Sequence, residues 1–230
     1  MWIFIVLGVL VFIGIIVAIA VGISSSSSGG ITPRQRIDWD QREINQVGKA
    51  GENYVASYLS GIVSTYGGFL FNDFCFEDED GFSTEIDHIL ITRGGVFVIE
   101  TKTNKGTIYG SKEDEYWECI KKDYQDDKTL KNPIIQNQGH INHLRRMFGK
   151  NAPKMLSIVI FPVADISHID ATNVYDVNGA IAAIKELSVQ AKYSEEFVKR
   201  ITNQLQSIQD RYGISKERHI QNINRIYHWH

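Results

Sequence analysis

A mixed α/β domain carried behind one membrane-spanning helix is the fold class this chain predicts, and three observations predict it. Residues 2–23 are apolar or glycine throughout, with no charged side chain before Arg34. The stretch EIDHILITRGGVFVIETKT (85–103) reads as two strands joined by a tight Arg-Gly-Gly turn. Segments of helical periodicity stand before it and after it. At 230 residues the chain has room for the span and one domain with a sizeable core.

About 20 apolar residues cross a bilayer core as a helix. A cleaved signal peptide would need a basic start and a small-x-small cleavage site. Met1 leads directly into Trp2, and Ser24 to Ser28 offers no such site. Arg34, Arg36 and Arg42 follow the span and no Lys or Arg precedes it, so the positive-inside tendency places the following domain in the cytoplasm. SSSSSGG opens a flexible linker over 24–38. A first helix is expected over 39–59, with Ile44, Val47, Gly51, Tyr54, Val55, Tyr58 and Ile62 near one face.

Gly67 and Gly68 then break the chain, 69–76 reads as a strand and acidic 77–81 as a turn before the hairpin. Two weaker strands are expected over 106–110 and 116–120. Pro133 sits where a helix can start without losing a bond, and IIQNQGHINHLRRMF places Ile134, Ile141, Leu144 and Phe148 on its buried side. The run 155–163 reads as a core strand. Helices follow over 180–187 and 194–208, the second capped by Ser194 with Glu195 and Glu196 in its first turn. The organisation is thus a span (1–23), a linker (24–38), a catalytic-type domain (39–165) and a mostly helical C-terminal extension (166–230).

Lys and Arg total 24 against 27 Asp and Glu, a net charge of −3, which excludes a protein that coats nucleic acid through charge alone. Any such contact must be local or carried by metal ions. Cys75 and Cys119 lack metal-ligand spacing and read as reduced structural thiols. His140 and His143 show no Cys or acid partner at a zinc spacing, and His219, His228 and His230 read as a frayed polar tail.

Asp87, Glu100 and Lys102 carry the chemistry. Side chains alternate along a strand, so Glu100 and Lys102 project from one face, about 6–7 Å apart. An acid inside an apolar strand is costly unless it is paired or bound to metal, and both Asp87 and Glu100 follow or precede apolar runs. The two acids can share one divalent ion, with Lys102 holding an attacking water or offsetting charge on phosphorus. The plainer alternative is an ion-paired surface patch, with Asp87 held by a nearby Arg. Glu52, at the border of the first helix's apolar stripe, is either a third acid over the cleft or an exposed helix Glu. Gln136 either leans into the same cleft or is solvated.

GKAGENYV, TEIDHILITRGGVFVIETKTNKGTIYG and NPIIQNQGHINHL together resemble the nuclease-related domain (NERD) family, a branch of the PD-(D/E)XK phosphodiesterase superfamily whose members are often bacterial. The resemblance covers roughly 45–165. It implies a restriction-endonuclease-like fold, a central mixed sheet flanked by helices. It implies catalytic roles for Asp87, Glu100, Lys102, Glu52 and Gln136, and a Mg²⁺ or Mn²⁺ site formed by Asp87, Glu100, Thr101 and Glu52. Ile86 stands where the superfamily usually has Pro. The expectation is a membrane-anchored, metal-dependent nuclease, with DNA favoured over RNA. The alternative is a non-catalytic membrane-tethered module that binds nucleic acid or a protein through the same cleft.

Overall fold

The first described helix begins earlier and ends later than its periodicity suggests. A computed structural model describes residues 33–121 and 128–227, and there α1 runs Pro33–Tyr66. The 2–23 span lies outside those residues; among the described residues no helix is long and apolar enough to cross a membrane. The chain divides into two compact units, residues 1–54 and 55–230. In the second unit Val55, Leu59 and Ile62 recur at helical spacing and are fully buried.

The central hairpin forms as expected. β1 (Phe69–Glu77), β2 (Ser83–Thr92) and β3 (Gly95–Thr101) pair antiparallel in sequence order. A two-residue turn at Arg93–Gly94 joins β2 to β3. Gly94 is required there: a Cβ would sit 2.6 Å from the backbone of Leu187 and Ser188. β3 continues parallel to β7 (Met155–Ile160), and β7 parallel to β9 (Val174–Tyr175), giving the order β1-β2-β3-β7-β9. Every residue of β3 is buried, as a strand covered on both faces must be.

The expectation of one central sheet needs correction. β4 (Thr107–Ser111) and β5 (Tyr116–Ile120) match the two weaker strands, yet they join β6 (Lys128–Lys131) and β8 (Asp165–Asp170) in a second mixed sheet, ordered β6-β5-β4-β8. Gly106, at φ 107°, turns the chain away from the first sheet, and a Cβ there would meet the Ile120 carbonyl at 2.3 Å. Ile108, Trp117 and Cys119 of this sheet pack with Val159, Phe161 and Val174 in a core of their own. Trp117 is fully buried and its Nε1 donates to Ser111 O at 2.7 Å. Trp117→Ala is expected to cost about 3–5 kcal/mol, read as a shifted urea midpoint.

The main core lies on the other face of the first sheet. Phe74, Phe76, Ile89, Val96 and Val98 meet Ile141, Leu144 and Phe148 of α2 (Pro133–Phe148) and Val198, Ile201 and Leu205 of α4 (Glu195–Tyr212). α2 is capped by Asn132, whose side chain accepts from Ile134 N, and α4 by Ser194, which accepts from Phe197 N. α3 (Val177–Gln190) lies between β9 and α4 in the chain. The C-terminal α5 (Lys216–Tyr227) corrects the reading of His219 as part of a frayed tail. His219 is buried with Nδ1 2.8 Å from Ser83 Oγ, and Arg218 and Asn222 both donate to Glu77. This helix docks by polar contacts, which leave no apolar run to read. His228 and His230 lie outside the described residues.

Candidate active site

β2 and β3 stay paired only as far as His88 and Ile99. Carried one residue further, that register sets Asp87 opposite Glu100. There the ladder ends, because the Thr101 N–H donates to Asp87 Oδ2 at 2.7 Å while β3 goes on pairing with β7 through Thr101 and Ile160. β1 is irregular at the same level. The β1–β2 register passes from Asn72–His88 to Phe74–Ile86, and Asp73, between them, holds φ at 51°. The apolar positions of β2 change parity here, Ile86 joining Ile89 and Ile91 in one core. Asp87 is therefore half-buried between two buried neighbours, where a regular core strand would have no place for an acid.

Glu100 is the buried centre of the cluster, 4% exposed. Its Oε1 is 2.8 Å from Lys102 Nζ and accepts from Gln136 Nε2 at 2.9 Å, and Lys102 Nζ also donates to Gln136 Oε1 at 2.9 Å. Burial works against a charge on Glu100, but the Lys102 ammonium and His140 outweigh it and hold the carboxyl below its ordinary range. Asp87, Glu100, Lys102 and Gln136 are thus brought together within residues 55–230. Glu52 belongs to the first unit, on α1, where Lys49 pairs with it at 3.3 Å.

α2 is pinned over the strands by Asn137. This fully buried amide donates to Val98 O and Ser157 Oγ at 2.9 Å and to Ile158 O at 3.3 Å, bridging β3 and β7. Its neighbour Gln136 then faces Glu100. One turn on, His140 Nε2 lies 3.5 Å from Glu100 Oε2 and 3.4 Å from Gln136 Nε2. Sequence reasoning missed His140 as a site residue. The signal was its i+4 spacing from Gln136, which puts both on one helix face.

His143 is a different case. It is buried, 2.6 Å from Thr84 Oγ1 and 2.9 Å from Asp78. Burial lowers the pKa of His143, against the pull of Asp78, and burial likewise lowers that of His219. The unfolded chain then takes up protons near pH 6.5 that the folded chain refuses. Stability contributed by these two groups is present above that pH and lost as pH falls through their lower folded values. The urea midpoint is expected to drop between pH 7.5 and 5.5, and less so in His143→Gln. Burial also raises the Cys75 thiol to about 12, so it fits a structural thiol, as does buried Cys119, whose Sγ donates to Lys105 O at 3.1 Å.

The donor set fits a hard divalent cation. The N–H and carbonyl of one strand residue leave on the same edge, so Thr101, whose N–H reaches Asp87, also turns its carbonyl towards that acid. Two carboxylates and a peptide carbonyl are the all-oxygen set Mg²⁺ or Mn²⁺ takes, with waters completing the shell. Among the described residues no group of three or more His, Cys, Asp or Glu side chains gathers to hold a metal.

A family model described as Nuclease-related domain matches residues 47–162. An uncharacterized protein of Bacillus anthracis is 31% identical over 124 residues, 54% of this chain. The match spans 57% of that relative's own length. No solved structure matches the chain.

Proposed function

The chain belongs to the nuclease-related domain family, and from that premise we propose that it is a membrane-anchored, metal-dependent nuclease, acting on DNA in preference to RNA. One observation carries the reading: a buried glutamate shared by a lysine and a glutamine, set beside an aspartate where two strands part. A structural ion pair needs neither the broken ladder nor the second acid.

Asp87, Glu100 and the Thr101 carbonyl would hold the cation. When bound, it would offset charge on the phosphate oxygens and make a coordinated water more acidic. Lys102 brings a positive charge and three donors to the same place, able to hold the attacking water in line and stabilise the oxygens as negative charge builds on them. Gln136 fixes Lys102 and Glu100 together by giving a donor to one and an acceptor to the other. His140 closes the Glu100 Oε2 side. The apolar run 2–23 supports the anchor, and Arg34, Arg36 and Arg42 support a cytoplasmic domain.

The purified full-length chain in detergent, given supercoiled, linear and single-stranded DNA and RNA with Mg²⁺ or Mn²⁺, is expected to release acid-soluble or shortened product, fastest from DNA. Absence of cleavage on every substrate, with no heat of divalent metal binding by calorimetry, would leave the non-catalytic binding module in its place. A phosphatase fused after His230 and active outside the cell would contradict the cytoplasmic orientation.

A further inference from the structure

Away from the candidate active site, a groove of about 600 Å³ lies between the C-terminal end of α2 and the outer face of α4. Its floor is apolar and aromatic: Met147, Phe148, Ile208 and Tyr212. Arg200 and Arg211 stand on its walls, with no carboxylate among its lining residues. Both guanidiniums lie over rings, Arg200 5.3 Å from the Phe197 centroid and Arg211 5.0 Å from that of Tyr212. One carboxylate borders the groove: Glu79 Oε1 lies 4.0 Å from Arg211 and accepts from Tyr212 Oη at 3.1 Å, but the Arg211 and Glu79 side chains are more than 70% exposed, so the pair holds the guanidinium only weakly.

We propose that this groove binds single-stranded nucleic acid, one or two unpaired nucleotides seated on the floor and their phosphates on Arg200 and Arg211. The choice of ligand rests on the nuclease reading above. Guanidinium forks match phosphate oxygens, and rings with apolar neighbours accept the face of any base. The volume is that of a small-ligand pocket, within roughly 300–1,000 Å³, room for one or two splayed bases. With a net charge of −3 the chain must make any nucleic-acid contact locally or through metal ions, and the two arginines of this groove are a local cationic patch. From Gln136 to Phe148 is about 18 Å along α2 at 1.5 Å per residue, so the groove is a second contact, separate from the site of cleavage.

The test is fluorescence anisotropy of labelled oligo-dT with the full-length chain in EDTA, where binding is measured without turnover. The double replacement Arg200→Glu, Arg211→Glu is expected to weaken binding at least about tenfold, and to flatten the slope of log affinity against log salt by about 1.4 for two lost phosphate contacts. Lys185→Glu with Lys192→Glu makes the same change of net charge on exposed residues elsewhere and is expected to do much less. Ser207→Leu, which fills the groove without altering charge or adding a ring for a base to stack on, is expected to weaken binding as well. Equal affinity for the two double variants, or wild-type affinity in Ser207→Leu, overturns the proposal, as does displacement of the oligonucleotide by polyglutamate at equal charge, which would mark a groove for acidic peptides. Binding that follows the arginines with no cleavage under any metal would sink the nuclease reading and leave the groove standing. Cleavage that depends on Asp87 with binding indifferent to the arginines would do the reverse.

Discussion

Lys102→Ala is expected to lower the rate of phosphodiester cleavage by about 10²–10³-fold, the loss typical of removing one donor from a charge-stabilising site. The Lys102 side chain is 22% exposed, and its ammonium sits 2.8 Å from Glu100 and shares Gln136 with it. Its removal takes away transition-state charge stabilisation rather than a substrate handle, so kcat is expected to fall with little change in KM. Divalent metal affinity should persist or rise, since the ammonium no longer competes for the Glu100 carboxylate. Lys102→Arg is expected to rescue poorly: a planar fork cannot take the place of a compact ammonium fitted between Glu100 and Gln136. An unchanged kcat in Lys102→Ala would place the ion pair on the structural side of the ledger.

Asn137→Leu is expected to destabilise the domain by about 2–4 kcal/mol, read as the urea midpoint at constant m-value. The amide gives its hydrogens to Val98 O, Ser157 Oγ and Ile158 O inside the sheet, and leucine would leave buried acceptors on β3 and β7 short of donors. The same change loosens α2, which carries Gln136 and His140, so activity should fall further than the unfolded fraction explains. Gln138→Ala, one residue along and exposed, is expected to shift stability by no more than about 0.5 kcal/mol.

The elements legible from the chain were those whose periodicity is paid out in apolar burial. The hairpin, α2 and β7 bury Ile89 to Ile91, Val96 to Ile99, Leu144 and Ile158 to Ile160, and the apolar pattern follows that burial closely. β8 was not legible because it is a sheet edge with sequence DISHID, mostly exposed, whose pairing with β4 is made by the backbone. α5 was not legible because Glu77 and Ser83 hold it through Arg218, His219 and Asn222. Membership of β4 and β5 in a second sheet depends on the turn at Gly106, and a strand's sequence does not state its partner. At the site, Asp87, Glu100 and Lys102 were readable as acids and a base in a hairpin, and Gln136 through the family resemblance. His140 was hidden because its role depends on how α2 is rotated over β3, which Asn137 decides.

The most direct test compares wild type with Asp87→Ala, both full-length, for Mg²⁺-dependent cleavage of DNA and for divalent metal binding by calorimetry. Asp87 anchors Thr101 and stands opposite Glu100, so its loss is expected to abolish metal binding and to reduce cleavage by at least about 10²-fold, with a cooperative thermal transition retained at a somewhat lower midpoint. Cleavage undiminished in Asp87→Ala, or metal binding indifferent to it, would contradict the site at the centre of this account.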